Sequence, residues 1–371
     1  MGWNTSHQVV TELSPQEWVY NKFTTYVLTH KECNSSQQIH FTSENPVLLL
    51  ERLKQEAGKD IWICGGANLV QQLEQVRKRL EKGVILMEKR YGVVPVVTAS
   101  DENYAPYLSV MIATALENCN KTRRIKFYVI DDGLSEYSKE GLEETVNKYS
   151  SNASIQFLTV EKDIYEDFLV SDHITTTAYL RISLPNLLAK EDYKKVLYLD
   201  SDVLVLDDIV KLYDEPLNGK TIGAIIDPGQ VKALERLGID SDDLYFNSGV
   251  MVIDIDQWNK KEITEKTIHY LSENGDRIIY HDQDALNAVL YEDWEQLHPK
   301  WNMQTSLIFE RHPAPNEKYE RQYKEGNEKP SIVHFTGHDK PWNTLKDHPY
   351  TNLYLKKLAH STLTKVGEIN E

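Results

Sequence analysis

The chain has 371 residues, of which 40% are hydrophobic and 26% are charged, and its formal net charge is −16. This composition is typical of a globular protein with two or three domains. The negative charge argues against binding to nucleic acid or to an anionic membrane surface, because both require a basic protein surface. An anionic substrate would need local positive charge, from a metal ion or from a few Lys and Arg side chains.

The cysteines and the N-terminal segment indicate a reduced, cytoplasmic protein. Cys33, Cys64 and Cys119 have neither the spacing of a metal site nor the pattern of a disulfide framework. The N-terminus lacks a basic segment followed by an apolar one, so we expect no signal peptide. No apolar run reaches the ~20 residues that cross a bilayer, and we expect no transmembrane segment. The few basic residues after Tyr354 favour at most a peripheral contact at the inner face of the membrane.

The first predicted elements form a short, highly charged region that ends near Arg90. They are a β-like stretch "TTYVLTH", an amphipathic helix in "PVLLLERLKQEAGKD", a short buried strand "IWICGG" and a second helix in "NLVQQLEQVRKRLEKG". Apolar residues recur at the helical period in both predicted helices. The sequence changes character between Glu88 and Val94, so we expect one domain over residues 1–88 and another over residues 93–360.

From Val93 onward, predicted strands and helices alternate. The strands are "VVPVVTAS", "IKFYVID", "SIQFLTV" and "KVLYLD", and the helices between the first three are "YAPYLSVMIATALENC" and "SEYSKEGLEETVNKYS". Apolar strands alternating with helices predict an α/β fold with a parallel sheet that is covered on both faces. Ligands of such sheets bind at the carboxyl ends of the strands. Acidic residues follow three of these ends, in "ASDENYA", "DDG" and "DSD", which predicts a cation site there.

The pair Asp200 and Asp202 is compatible with several chemistries. In a phosphatase of the haloacid dehalogenase type, the first Asp would attack phosphorus and the second would act as acid and base. In a nucleotide-sugar glycosyltransferase, both carboxylates would bind a divalent metal ion that holds a diphosphate. The phosphatase pattern requires Thr or Ser where this chain has Leu204. The pair by itself would also fit solvated loop carboxylates.

Three downstream motifs favour the transferase. "LYFNSGVMVIDIDQW" combines an Asn-Ser-Gly turn with an apolar strand. "YHDQDALNAVL" places Asp282 and Gln283 at the start of a helix, although Asp282 could instead be a simple N-cap. "IVHFTGHDKPWN" places His334 at the end of a strand, before Gly337 and Lys340. A strand-end histidine is often structural, but this position also suits a third metal ligand beside a phosphate-binding lysine.

With these motifs, the segment from about Val94 to Lys357 resembles the family 8 retaining glycosyltransferases, of the bacterial galactosyl- or glucosyltransferase type. Seven motifs occur in order: "ASDENYAPYLSV", "TTAYLRISLP", "KVLYLDSDVLV", "GAIIDP", "YFNSGVMVIDIDQW", "HDQDALN" and "HFTGHDKPW". The resemblance implies the GT-A fold, with a mixed, mostly parallel sheet. It also implies a metal-dependent enzyme that moves glucose or galactose from a UDP-sugar to a hydroxyl of a glycan or glycoprotein, in bacterial surface glycan assembly.

The resemblance also assigns roles to individual residues. It implies a metal site for Mn²⁺, or alternatively Mg²⁺, at Asp200, Asp202 and His334, and oxygen and imidazole ligands suit these ions. The residues implied to bind the nucleotide sugar are Ala99, Asp101, Asn103, Tyr104, Arg181, Asp200, Ser201, Asp202, Asn247, Gly249, Gly337 and Lys340. The implied catalytic residues are Gln283 and Asp282, and the acceptor-side residues are His173 and Asp227. A non-catalytic nucleotide-sugar-binding module is a further alternative, which the intact motifs disfavour.

The N-terminal region resembles part of a different family. "MGWNTSHQVVTELSPQEWVYNKFTTYVLTHK" and "KDIWICGGANLVQQL" are similar to the middle of a dihydrofolate-reductase-like domain of the riboflavin-reductase type. In such domains the Gly-Gly pair, here Gly65 and Gly66, would lie under the NADPH phosphates at a helix N-terminus. The first strands and the last hairpin of that domain have no counterpart here. We therefore expect a partial domain without reductase activity.

Overall fold

The computed structural model describes residues 92–120, 123–159, 181–188, 191–230 and 232–363, together with parts of the segment 3–53. The chain divides into two compact units, Met1–Arg90 and Tyr91–Glu371. In the first unit, helix α1 (Trp3–Gln8) precedes the parallel strands β1 (Thr25–Leu28) and β2 (Ile39–Thr42). Strand β1 lies within the predicted stretch "TTYVLTH". The predicted strand "IWICGG" and the helix after it lie outside the described residues, so the reductase-like identity of this unit stays a prediction.

The second unit is built on a seven-stranded mixed sheet and a three-stranded sheet. Their strands are β3 (Val93–Ser100), β4 (Arg124–Asp131), β5 (Ala153–Thr159), β6 (Lys195–Leu199), β7 (Val203–Val205), β8 (Ile222–Ile226), β9 (Phe246–Asp254), β10 (Trp294–Gln296), β11 (Met303–Gln304) and β12 (Ile332–His334). The large sheet has the order β10-β8-β9-β6-β3-β4-β5, and the small one has the order β11-β12-β7. In the large sheet β9 runs antiparallel to both of its neighbours, and the other paired strands are parallel. The predicted mixed, mostly parallel sheet is confirmed.

Helices cover this sheet or connect its strands. They are α2 (Ala105–Asn118), α3 (Glu136–Tyr149), α4 (Leu184–Leu187), α5 (Ile209–Tyr213), α6 (Ala233–Arg236), α7 (Ile255–Lys260), α8 (Ile263–Glu273), α9 (His281–Leu290), α10 (Thr305–Ile308), α11 (Glu317–Glu328) and α12 (Thr351–Leu358). Ser135 is the N-cap of helix α3, and its hydroxyl accepts a hydrogen bond from the Ser138 amide. Among the described residues, no helix combines the length and the apolar character that crossing a bilayer requires.

The local predictions from β3 to β6 agree with the structure, because buried parallel strands and amphipathic helices have distinct apolar patterns. The prediction of an Asn-Ser-Gly turn is wrong. Asn247, Ser248 and Gly249 lie inside strand β9, which begins at Phe246. A register shift between Gly223 and Ile225 in the neighbouring strand β8 accommodates this segment. The turn-forming residues are therefore accommodated by an irregular strand pairing.

Strand pairing brings three chain segments together at one edge of the sheet. Strand β6 ends at Leu199, and the Asp200 amide that follows donates to the Gly249 carbonyl of β9 at 2.8 Å. Strand β12 is antiparallel to β7, and His334 is paired with Val203. This register places His334 beside the residue that follows Asp202. Residues that are more than 130 positions apart in the sequence therefore become neighbours.

Removal of residues 1–87 should leave the second unit folded, because its sheets are formed entirely within Tyr91–Glu371. We expect the shortened chain to keep a cooperative thermal transition, measured by circular dichroism, and the transferase activity that the resemblance implies. Loss of the cooperative transition, or of activity in a folded shortened chain, would show that the first unit contributes to the second.

Candidate functional site

Three side chains that can bind a metal converge beside the carboxyl end of strand β6. The His334 Nε2 atom lies 3.2 Å from Asp202 Oδ1 and 3.7 Å from Asp200 Oδ2. One ligand atom from each of the three residues lies within 4.8 Å of the others. The structure therefore brings the sequence-predicted ligand set together. Two carboxylates and one imidazole form a donor set that suits Mn²⁺ or Mg²⁺ better than a soft metal.

Gly249 leaves the space in which these groups meet. A Cβ atom at this position would lie 2.3 Å from His334 Cε1 and 2.5 Å from Asp200 Oδ2. These distances are far below van der Waals contact, so any side chain here would displace the ligand groups. Glycine is required at this position by the packing of the ligand groups and not by a turn. The residues present therefore fit a bound cation.

Arg181 compensates the charge of Asp200 and links it to helix α9. Its Nη2 atom donates to Asp200 Oδ1 at 2.7 Å, and its Nη1 atom lies 3.0 Å from Asp282 Oδ2. Burial alone would lower the pKa of Arg181, but the two carboxylates outweigh it and hold the pKa above its usual value. The Tyr198 hydroxyl also donates to Asp200 Oδ1, at 2.9 Å. Both donors use Oδ1, and this leaves Oδ2 toward His334.

Lys340 compensates the charge of Asp202. Its Nζ atom lies 2.6 Å from Asp202 Oδ2 and also donates to the Phe335 carbonyl. Burial would raise the pKa of Asp202, but His334 and Lys340 outweigh it and hold the pKa below its usual range. The loop that carries Lys340 is held by Trp342, whose ring is stacked on Tyr107 with centroids 3.6 Å apart. A buried ammonium group is thus positioned beside the candidate cation site.

Four of the residues predicted to bind the nucleotide sugar lie at the end of strand β3 and in the turn before helix α2. Ala99 is buried in β3, and Asn103 is exposed in the following turn. Asp101 Oδ1 accepts a hydrogen bond from the Tyr104 amide at 2.9 Å, so this carboxylate stabilises the turn. The Tyr104 ring is half-buried and lies edge-on to Trp342, with centroids 6.2 Å apart. This arrangement places the turn next to the loop that carries Lys340.

The loop after β12 also contains Gly337, and the turn after β6 contains Ser201. Gly337 has φ +89°, a conformation that strains residues with a side chain. Ser201 is buried between the two aspartates of the candidate metal site. Both residues therefore lie in the segments that surround the candidate cation position.

Gln283 and Asp227 are connected to the candidate cation site through Ser248, whose hydroxyl accepts a hydrogen bond from Arg181. Gln283 Oε1 accepts a hydrogen bond from the Ser248 amide at 3.0 Å, and its Nε2 atom donates to Asp227 Oδ2 at 3.2 Å. Burial raises the pKa of Asp227 above its usual value. Burial also raises the pKa of Asp282, against the lowering effect of Arg181. The two predicted catalytic residues therefore lie within one network that includes Arg181.

Asp284 anchors the start of helix α9. Its buried carboxylate accepts hydrogen bonds from the amides of Ile279 and Tyr280, at 2.7 and 2.8 Å, and is paired with Arg236 at 2.8 Å. Burial would raise the pKa of Asp284, but Arg236 and these amides outweigh it and lower the pKa. The alternative that Asp282 is an N-cap is wrong, because no side chain caps this helix and Asp284 binds the preceding amides.

The structure contradicts one sequence-based prediction, at the acidic strand ends, and does not test another, at His173. Asp131, in the acidic "DDG" after β4, accepts a hydrogen bond from the Leu134 amide at 2.7 Å and is paired with Lys139 at 2.9 Å. Its carboxylate therefore stabilises the turn before helix α3. Of the three acidic strand ends, only the one after β6 contributes to the group of possible metal ligands among the described residues, so the prediction that all three hold the cation is wrong. His173 lies outside the described residues.

The site contains further residues that the sequence analysis did not select. Tyr198 binds Asp200, Ser248 binds both Arg181 and Gln283, and Asn302 binds His334. Strand alternation could have identified Tyr198, which is two positions before Asp200 and follows the period of β6. Asn302 carries no such signal, because it reaches His334 only through the tertiary fold.

Residues 95–346 match the model of glycosyl transferase family 8. The chain belongs to this family. General stress protein A of Bacillus subtilis (strain 168) is 40% identical over 277 residues, which cover 74% of this chain and 96% of that protein. A lipopolysaccharide 1,2-glucosyltransferase of Escherichia coli is 30% identical over 250 residues, which cover 66% of this chain and 71% of that protein. None of these matches supports the phosphatase alternative.

A solved structure has the same fold. The galactosyltransferase LgtC, in complex with donor and acceptor sugar analogues, superposes with a TM-score of 0.62 and 27% identity. The match covers 74% of this chain and 98% of LgtC. The expected GT-A fold of this family 8 glycosyltransferase is therefore confirmed, and the residue roles stay predictions.

Replacing Gly249 by Ala should disrupt the cation site, because the new Cβ would overlap His334 and Asp200. We expect the affinity for Mn²⁺, measured by isothermal titration calorimetry, to fall about 10- to 100-fold, the range for disturbed surroundings of metal ligands. Gly223→Ala is a matched control in the neighbouring strand, where the Cβ would meet only Leu side chains. Equal Mn²⁺ affinities in the two variants would argue against this site.

Proposed function

We propose that the protein is a metal-dependent, retaining hexosyltransferase that moves glucose or galactose from a UDP-sugar to a hydroxyl of a glycan or glycoprotein. The observation that supports this most is the convergence of Asp200, Asp202 and His334 with two cationic side chains, the partly buried Arg181 and the buried Lys340. A phosphatase of the haloacid dehalogenase type would need one aspartate free to attack phosphorus, whereas Asp200 is paired with Arg181 and Asp202 with Lys340. This combination suits the binding of a diphosphate.

The site must stabilise negative charge that develops on the diphosphate as the anomeric C–O bond breaks. A divalent cation held by Asp200, Asp202 and His334 would supply Lewis-acid stabilisation of that charge when bound. Lys340 already lies beside Asp202 and can turn its ammonium toward a phosphate oxygen. Opposite charges ~4 Å apart attract by about 4 kcal/mol at an effective dielectric constant near 20. Local positive charge would thus overcome the negative charge of the protein as a whole.

Retention of anomeric configuration requires either a protein nucleophile or attack from the face of the leaving group. Gln283 is held with its amide oxygen on the Ser248 amide, and an amide oxygen is a poor nucleophile. We therefore favour front-face attack, in which the leaving phosphate oxygen takes the proton from the acceptor hydroxyl. Gln283 would stabilise the oxocarbenium-like state, and Asp282 would orient the donor sugar together with Arg181.

The names of the relatives support a hexose without selecting one. One relative is a glucosyltransferase that acts on lipopolysaccharide, and a structural neighbour is a galactosyltransferase. We propose surface glycan assembly as the setting, with the enzyme in the cytoplasm or at the inner face of the membrane. Asp227, which is hydrogen-bonded to Gln283, would lie on the acceptor side of the site.

Hydrolysis of a panel of UDP-sugars tests the proposal. We expect slow release of UDP from UDP-glucose or UDP-galactose that depends on Mn²⁺. Asp202→Asn should abolish this release, because it removes one carboxylate of the ligand set. Asp214→Asn is the matched control, since Asp214 is half-exposed and pairs with Arg123. Cleavage of a phosphate monoester without turnover of any UDP-sugar would contradict the proposal.

Replacement of Gln283 tests the mechanism. Gln283→Ala should lower kcat by about 10²- to 10³-fold, the usual effect of removing one group that stabilises the transition state. The affinity of this variant for Mn²⁺ should stay unchanged, because among the described residues Gln283 makes no hydrogen bond to Asp200, Asp202 or His334. Gln283→Glu should form a covalent glycosyl-enzyme, detected by mass spectrometry, only if this side chain reaches the anomeric carbon. Full activity of Gln283→Ala would remove this residue from the mechanism.

A further inference from the structure

A chain of buried amide groups ends on His334. Asn302 is fully buried, and its Oδ1 atom lies 3.0 Å from His334 Nδ1. Its Nδ2 atom lies 2.9 Å from Asn247 Oδ1. The Gly249 amide also donates to Asn247 Oδ1, at 3.1 Å. The chain therefore runs from strand β9, through the 3₁₀ turn before β11, to the ring of His334.

The Gly249 amide fixes the direction of every hydrogen bond in this series. The Gly249 backbone N–H can only donate, so the Asn247 atom that faces it must be the amide oxygen. Asn302 must then present its NH₂ group to Asn247 Oδ1. Its own oxygen is consequently the atom that faces His334.

We propose that Asn302 is a positioning residue that keeps the His334 proton on Nδ1 and leaves Nε2 as the ligand atom. An oxygen that faces Nδ1 can only accept, so the imidazole must carry a proton there. The Nε2 atom is the one that faces Asp202 and Asp200. The use of Nε2 for a metal rests on the proposed function, whereas the position of the proton rests on the amide chain alone.

Without this chain, the opposite tautomer would be favoured. The His334 Nε2 atom lies 3.2 Å from Asp202 Oδ1, a distance at which an Nε2–H group could donate to the carboxylate. That tautomer would place a proton on Nε2, the atom proposed to bind the metal ion. In the wild-type protein, that tautomer would also place the unprotonated Nδ1 atom against the Asn302 oxygen. Reversing Asn302 would instead set two oxygens against each other at Asn247.

The proton position can be measured in the metal-free protein by long-range ¹H–¹⁵N NMR of the histidine rings at pH 9, where an ordinary imidazole is neutral. His334→Gln identifies the His334 signals. We expect the Nδ1–H tautomer in the wild type and a shift toward the Nε2–H tautomer in Asn302→Leu. An Nε2–H tautomer in the wild type would overturn the proposal, whether or not Asn302→Leu folds.

Titration with Mn²⁺ gives a second readout. Asn302→Leu should bind Mn²⁺ about 10- to 100-fold more weakly than the wild type, as expected for loss of a partner of a ligating histidine. Gln304→Leu is the matched control, because Gln304 is an equally buried amide two positions away that donates to the Ile226 carbonyl. It should retain both the tautomer and the Mn²⁺ affinity. A wild-type tautomer in a folded Asn302→Leu would overturn the proposal, and a failure of the proposed function would instead appear as no Mn²⁺ binding by the wild type.

Discussion

The compensation of buried negative charge is the constraint on which this structure depends. Asp200 and Asp202 lie directly after the carboxyl end of strand β6 and would repel each other if both were ionised and unpaired. Each has its own cationic partner, Arg181 for one and Lys340 for the other, at 2.7 and 2.6 Å. His334 lies within reach of both carboxylates. Removing one partner from such a buried set costs more than the pair contributes, because a charge is then left uncompensated.

The fold delivers these groups through backbone pairing and not through a single motif. Strand β6 presents the aspartates, and strand β9 supplies Gly249 beside them. The antiparallel pairing of β12 with β7 fixes the position of His334. Since all of these positions are set by backbone hydrogen bonds in buried strands, the ligand groups are positioned before any ligand binds. Such preorganisation is what electrostatic catalysis requires.

A hydrogen-bond network around helix α9 also positions the proposed catalytic residues. Asp284 fixes the amides before the helix, and Arg181 connects Asp282 to Asp200. Gln283 is held at both ends of its amide, by Ser248 and by Asp227. The cation site and the proposed sugar site are therefore connected by hydrogen bonds, through Ser248 and Arg181.

The sequence by itself determined the strands and helices between β3 and β6, the acidic pair after β6, and the strand-end position of His334, because these follow from local apolar periodicity and short motifs. Only the tertiary structure decided which carboxylates serve the site. Asp131 is taken by Lys139, and Asn302 reaches His334 from a segment without a motif. The orientation of a carboxylate oxygen or an amide depends on partners that are distant in the chain. Local sequence patterns contain no information about those contacts.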